Sequence, residues 1–337
     1  MNPQESRSSQ STDQRPYATG QILPLSVIHG YQPWLQRSPE LRVRIKQHNQ
    51  PWTLSCGMQV EIVEDSINVD RERSSYRCPA ESGTAFLKLF DWRHARQLRH
   101  DKGREPWSKA IEEIFLNEKT MDYFHKLAYD PEFDDTAEYH PDTDEIEEEA
   151  LVWTEMLLSH KNEVATYSRL KHHQGNRIPH LLAEVAFDAC PSDSTDAVRK
   201  KFQIKGILLQ YLPGFTLSSI MEHTPPSSWQ YIIDQAIKVV HVLSDNDILN
   251  ADVRPDNFMV VPKEDTEGGY QVFMIDFGQC RFRKDETDSE WGRMKWTQDE
   301  EGAVGVVMKS RLRKEAGFQI QCQPSERYLE WAPGEGE

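Results

Sequence analysis

The 337-residue chain is short of cysteine, of long apolar runs and of positive charge. Its five cysteines, Cys56, Cys78, Cys190, Cys280 and Cys322, are odd in number and far apart. Such spacing suits neither a disulfide framework nor a C-x-x-C zinc site and points to a reducing, intracellular setting, cytoplasmic or nuclear. No stretch approaches ~18 apolar residues, and the opening MNPQESRSSQSTDQ has no apolar core. Membrane spanning and secretion are therefore disfavoured. Lys and Arg number 39 against 55 Asp and Glu, a net charge of −16, which argues against a general nucleic-acid or anionic-membrane binder. G-x-S-x-G, H-E-x-x-H and G-x-x-x-x-G-K-[ST] are all absent, removing the common hydrolase and P-loop alternatives.

The acidity is local. Eleven carboxylates fall between Asp130 and Glu149, where there is no Lys or Arg, so the remainder lies much nearer neutrality. Residues 1–20 (Ser, Gln, Asn, Arg) and 323–337 (Pro, Gly, Glu) offer little to bury and read as disordered ends. From Leu41 to about Asn68, LRVRIKQ, TLSCGMQVEIV and SINV carry the alternation of antiparallel strands, and GTAFLKLF over 83–90 adds another. Helical periods follow at about 91–100, 106–128 and 144–173. HLLAEVAF and FQIKGILLQYL suggest a further strand pair. Trp229, Ile232, Ile233, Ala236, Val239, Val240 and Leu243 form one helical stripe, with Ser227 and Gln230 spaced as a capping box. NFMVV and YQVFMID, joined by KEDTEGG, read as a hairpin, and about 288–315 as helix. This is an α+β, two-lobe layout.

Asp252 and Asn257, in NADVRPDNFMV, and Asp276, in FMIDFGQ, flank that hairpin. A hairpin brings Asn257 and Asp276 to the same end, where their oxygens could hold a hard cation beside a phosphate. Asp252 stands five residues before Asn257, and Asp276-Phe277-Gly278 begins 24 residues after Asp252, the order of the catalytic Asp, metal-binding Asn and Asp-Phe-Gly of kinases. With TAFLKLFD, EVATYSRL followed by IPHLLA, and DVRPDN, the sequence from about Leu41 to Leu312 resembles the protein-kinase-like superfamily, most closely the small kinase-like proteins of filamentous fungi. Lys88 sits in an otherwise apolar strand, and Glu163 interrupts the apolar stripe of its helix. Each could offset the other's desolvation. The resemblance implies that Lys88 holds the α- and β-phosphates of ATP and that Glu163 orients it. It also implies that GILLQYLPG links two lobes, with Gln210, Tyr211 and Leu212 presenting backbone groups to adenine.

Three departures matter. The hairpin LSCGMQVEIV, where a phosphate-covering loop would lie, has only Gly57, although backbone approach to phosphate favours several glycines. Asn250-Ala251-Asp252 replaces His-Arg-Asp, and only 59 residues follow Gly278, with no Ala-Pro-Glu. The expectation is a protein kinase-like fold with an N-lobe over 41–211, a helical acidic insertion at about 91–150 and a short C-lobe over 212–315. Asp252 would be the base, Arg254 would offset charge on the moving phosphoryl group, and Asn257 and Asp276 would hold Mg2+. The partners are ATP and a hydroxyl acceptor, small molecule or protein. A silent pseudokinase acting as a nucleotide- or protein-binding module is the rival, and a small-molecule kinase shares the fold. Arg93, Arg96, Arg99, Lys102 and Arg104 read as a solvated face that could lie opposite the acidic run. His172, His173 and His180 read as helix-end cations with no metal.

Overall fold

Apolar alternation in the first half of the chain builds a barrel. The computed structural model describes residues 17–334 apart from 37, 50–51, 64–82, 117–119, 121, 125, 127–129, 131–143 and 192–193. SINV and Cys78 therefore lie outside the described residues. Strands β1 (Ile22–Gly30), β2 (Glu40–Asn49), β3 (Cys56–Ile62), β4 (Thr84–Leu89), β5 (Leu181–Phe187) and β6 (Ile204–Gln210) close in the order β1-β2-β3-β4-β6-β5, every neighbour antiparallel. Leu23, Leu25, Leu41, Val43, Ile45, Met58, Val60, Leu87 and Leu89 are buried, as period-2 alternation around a small barrel requires.

The sheet starts earlier than its expected edge at residue 41. β1 runs antiparallel to both β2 and β5, from Ile22 opposite Arg44 to Gly30 opposite Ala183. Its alternation is interrupted by Pro24, which local pattern reading penalises. The reading of 1–20 as a disordered end is also corrected at its last residues. Tyr17 is buried, its hydroxyl donates to Asp91 at 2.5 Å, and its ring meets Trp52 edge-on at 5.9 Å. One aromatic ring with a carboxylate partner offsets the ordering that neighbouring polar residues could not.

After β4 come α1 (Arg96–Asp101), α2 (Lys109–Phe115) and the long α3 (Asp144–Arg169). A short helix not expected from the sequence, α4 (Asp196–Lys201), lies between β5 and β6, with the Thr195 hydroxyl accepting from Val198 N.

The second half is helical around a small sheet. The chain leaves β6 through Leu212-Pro213-Gly214, where a Cβ on Gly214 would meet Val260 O at 2.2 Å, so only glycine lets the backbones pass. β7 (Phe215–Thr216), α5 (Ile220–His223), α6 (Trp229–Ser244), β8 (Ile248–Asn250), β9 (Phe258–Pro262), β10 (Tyr270–Met274) and β11 (Cys280–Phe282) follow. β9 pairs with β10 and β7, and β8 pairs with β11. The stripe of α6 buries Ile232, Ile233, Ala236, Val239, Val240 and Leu243, where one Leu or Ile→Ala costs about 2–5 kcal/mol.

The capping box expected at Ser227 does not form. Pro226–Ser228 is a 3-10 turn, Ser228 caps without a side-chain bond, and Gln230 bonds Asp234 and Gln321 O instead. A capping box does open α7 (Asp288–Gln298), between Thr287 and Glu290. The helix expected over 288–315 breaks at Asp299, whose φ of 42° is left-handed, before α8 (Gly302–Ala316). The tail expected from 323 is packed as far as it is described. Arg327 pairs with Asp245, Leu329–Trp331 turns as 3-10, and the Trp331 ring fills the space beside Gly292. The described cysteines, Cys56, Cys190, Cys280 and Cys322, are free, and no described helix is long and apolar enough to cross a membrane.

Candidate functional site

Lys88 departs from the apolar pattern of β4. Leu87 and Leu89 point into the barrel, so Lys88 emerges on the opposite face, beneath α3. Its Nζ donates to Glu163 Oε2 at 2.6 Å and to Asp276 Oδ1 at 2.9 Å. The Lys88 side chain is 8% exposed, Glu163 is fully buried, and Asp276 retains 31%.

One ammonium serves two carboxylates. Burial works against the charge on Lys88, yet Asp276 and Glu163 together raise its pKa above the ordinary lysine value. Asp276, despite its own burial, is held below the usual carboxylate range by Lys88. The deeper Glu163 is pushed up to about 7 by burial against the pull of Lys88, with the Asp276 charge adding to the rise. The cluster carries one negative charge too many, and Glu163 bears the cost because it is the furthest from water.

α3 brings Glu163 to this point and ties it to Asp276-Phe277-Gly278. Asn162 Nδ2 donates to Gly278 O at 3.2 Å, and Tyr167, one turn beyond Glu163, meets the Phe277 ring edge-on at 5.2 Å. At the end of α3, Arg169 donates to Asn246 O at 3.0 Å.

The β9-β10 hairpin sets the remaining geometry. Met274 pairs with Phe258, and Ile275 N donates to Asn257 O at 2.9 Å, which brings Asn257, just before β9, to the end of the hairpin where Asp276 follows β10. Asp276 adopts φ 66°, a left-handed backbone that Asp tolerates better than most residues. Asn257 donates through Nδ2 to Asp252 O at 2.8 Å and Asp252 Oδ2 at 3.0 Å, so its side-chain carbonyl takes no part in those bonds. Asp252 is pushed above the ordinary carboxylate range by burial, against the Asn257 bond and the nearby Arg254. Arg254 reaches Asp252 Oδ2 at 3.4 Å from a half-exposed side chain.

The loop rests on residues that sequence reading passed over. Asn250 Oδ1 accepts from Asp252 N at 2.9 Å, and Glu300 Oε1 accepts from Asn250 N at 2.7 Å. Glu300 is paired in turn with Lys295, whose Nζ donates to Ile248 O at 2.8 Å. Both ends of β8 thus hang on one buried ion pair. Burial lowers Lys295 and raises Glu300, their mutual attraction opposing each shift. The sequence held one faint signal: Lys295 stands four residues after Trp291, on the side of α7 that the structure buries.

The expected nucleotide-facing backbone is partly engaged. Gln210 N donates to His180 O, and Leu212 O accepts from Gly214 N, each at 2.9 Å. Beside Gly57 the nearest neighbour to an added Cβ is the Phe86 ring at 2.8 Å. The Trp52 indole donates to Gly57 O at 3.3 Å. The basic face expected after β4 is not uniformly solvated, since Arg99 is buried against Glu149 and the partly buried Arg93 pairs with the buried Asp91. His180 is not a plain surface cation either, because burial lowers its pKa.

Among the described residues no group of three or more His, Cys, Asp or Glu is placed to hold a metal ion. Magnesium is commonly held by one or two carboxylates with substrate phosphates completing its shell, which suits Asp276 with the free carbonyl of Asn257. A cavity of about 450 Å3 lies elsewhere, between α6, α7, α8 and the C-terminal segment, lined by Val240, Lys295, Trp296, Glu300 and Tyr328.

No protein-family model matches the chain, and no curated protein does. Among solved structures, the ROP18 kinase domain in complex with AMP-PNP and sucrose is similar with a TM-score of 0.40 and 12% identity, covering 80% of this chain. WaaP in complex with acyl carrier protein is similar with a TM-score of 0.31 and 17% identity, covering 46% of this chain. The chain spans 58% and 64% of those two chains.

Proposed function

We propose that this chain is a protein kinase-like phosphotransferase that binds ATP with Mg2+ between the barrel and the β9-β10 hairpin. The observation that carries the proposal is Lys88, held between Glu163 and Asp276 at 2.6 and 2.9 Å, with Asn257 O accepting from the N–H of Ile275, the residue before Asp276. In this reading the barrel with α3 is an N-lobe, the chain between β4 and α3 its helical insertion, and the part beyond Leu212 a short C-lobe.

When bound, ATP with Mg2+ would supply the transferable phosphoryl group and a cation to screen it. The residues do the rest. Lys88 would bind phosphate oxygens, with Glu163 fixing its ammonium. Asp276 and Asn257 would hold the cation. Asp252 would accept the proton of an acceptor hydroxyl as that oxygen bonds the γ-phosphorus and the bond from the γ-phosphorus to the β–γ bridging oxygen breaks, ADP leaving with the bridging oxygen. Arg254, half in solvent, would offset charge on the moving group. Burial that raises Asp252 strengthens it as a base.

A second reading, a silent nucleotide- or protein-binding module, draws on the crowding of Gly57 by Phe86 and the engaged N–H of Gln210. Two variants divide the readings. Asp276→Asn should lower Mg2+-dependent ATP affinity and abolish transfer together. Asp252→Asn should leave ATP affinity nearly intact while turnover falls roughly 10²–10⁴-fold. Binding of ATP without consumption in the wild type would favour the module, and no binding would defeat the phosphotransferase and leave only a protein-binding module.

A further inference from the structure

We infer that α1 is a built-in brace for α3, with Arg99 a positioning residue that keeps Glu163 against Lys88. The inference deepens the nucleotide-binding reading and rests on it only for the consequence for ATP.

The brace is an ionic seam between α1 with its following turn and the first half of α3. Arg99 grips Glu149 with both ends of its guanidinium, Nη1 to Oε2 at 2.8 Å and Nη2 to Oε1 at 2.6 Å. Its Nε donates to Glu105 O at 2.8 Å, and its charge lies over the Trp107 ring at 5.8 Å. Lys102 reaches Glu155 at 3.0 Å, and Arg104 pairs with Glu148. The Arg99 and Glu149 side chains are 3% and 8% exposed. A bidentate, desolvated pair of this kind has one good geometry, unlike a surface contact.

Its position gives it leverage. The 26 residues of α3 span about 39 Å, and Glu149 lies about 21 Å along the helix from Glu163. At the far end α3 is held by Glu163, Asn162 and Arg169. α1 follows β4 in the chain, so the seam also ties α3 to the strand that carries Lys88. Chain and contacts close a ring: Lys88, β4, α1, Arg99, Glu149, α3, Glu163 and back to Lys88. Because the seam joins α3 to the segment that directly follows the Lys88 strand, its free energy adds to the closed ring in which Glu163 meets Lys88. Trp153 of α3 also packs edge-on with Trp92 at 6.5 Å, an uncharged contact that the substitutions below leave in place.

The experiment measures Lys88 directly, without nucleotide. Wild type and Arg99→Gln are treated briefly with an amine-acetylating reagent well below their melting temperatures, and modification of Lys88 is quantified by mass spectrometry. Loss of the brace should speed Lys88 acetylation about fivefold or more, the lower end of usual coupling between sites. Arg99→Glu should behave likewise, and adding Glu149→Arg to it should restore the wild-type rate. A lower melting temperature with an unchanged Lys88 rate, or a swap that restores nothing, overturns the inference. If Arg99→Gln does not fold, the double variant Lys102→Gln/Arg104→Gln, which removes only the more exposed pairs, takes its place. A smaller acceleration supports the brace, and none overturns it. Titration of the same proteins with ATP and Mg2+ should show affinity falling in step. A wild type that binds no ATP would defeat the nucleotide reading while leaving the Lys88 result to judge the brace alone.

Discussion

Lys88 and Asp276 are 188 residues apart in the chain and 2.9 Å apart in the fold, and the same ammonium is 2.6 Å from Glu163. Removing Lys88 strands Glu163 and Asp276, a loss of about 3–5 kcal/mol, whereas removing Glu163 leaves Lys88 paired with Asp276. Lys88→Met should destabilise strongly and Glu163→Leu less, and the double variant should be less destabilised than their sum. Urea denaturation of the four proteins measures the coupling directly. Simple additivity would show that the pair does not act as a unit.

The sharing of one cation between two carboxylates sets a pH dependence. Glu163 is raised to about 7 from an ordinary 4.5, so the folded protein binds that proton more tightly than the unfolded chain does. Its favourable contribution is complete below about pH 4.5 and is lost as pH rises toward about 7. The stability difference between wild type and Glu163→Gln should therefore shift against wild type from pH 5 to 7 and level off above. Urea midpoints of both proteins at pH 5, 6, 7 and 8 test this, and a flat difference would contradict it.

Glu300 should matter to the loop carrying Asp252, although it touches Asp252 only through Asn250. Glu300→Leu leaves Lys295 buried without its partner, at about 3–5 kcal/mol. Combining it with Lys295→Met should recover most of that stability but not the anchor on Asn250 N. Amide exchange at Asn250 and Asp252 should stay fast in the double variant while its melting temperature recovers. Recovery of both would make the pair merely a packing feature.

Tyr17 should contribute to stability despite lying at the edge of a polar segment. Tyr17→Phe removes a buried hydrogen bond to the charged Asp91 and should cost about 1.5–3 kcal/mol. Tyr17→Ala, which also removes the ring from Trp52 and Phe187, should cost about 3–5 kcal/mol by analogy with other buried aromatics. Thermal melts of the two variants give the comparison. No loss in either would mean that the ring does not hold the barrel end.

By itself the sequence determined what depends on short spacing. Alternation in 41–47 and 84–89, the stripe of α6 and the β9-β10 hairpin each arise from a few neighbouring residues, and the structure has them as strands and helix. The hairpin alone sufficed to predict that Asn257 and Asp276 would share one end. The oddity of a lysine in an apolar strand and a glutamate in an apolar stripe was likewise local, because an ionisable side chain in such a place must find a partner. What only the tertiary structure decided involves contacts across long loops. The closing strand β1 pairs with β5, more than 150 residues away, and Pro24 hides its alternation. Tyr17 gains its burial from Asp91 and Trp52, Arg99 from Glu149, and Glu300 from Lys295 and Asn250. None of these residues stands out from a solvated one by its neighbours in sequence, since a charged or aromatic side chain becomes structural only when the fold removes water from around it.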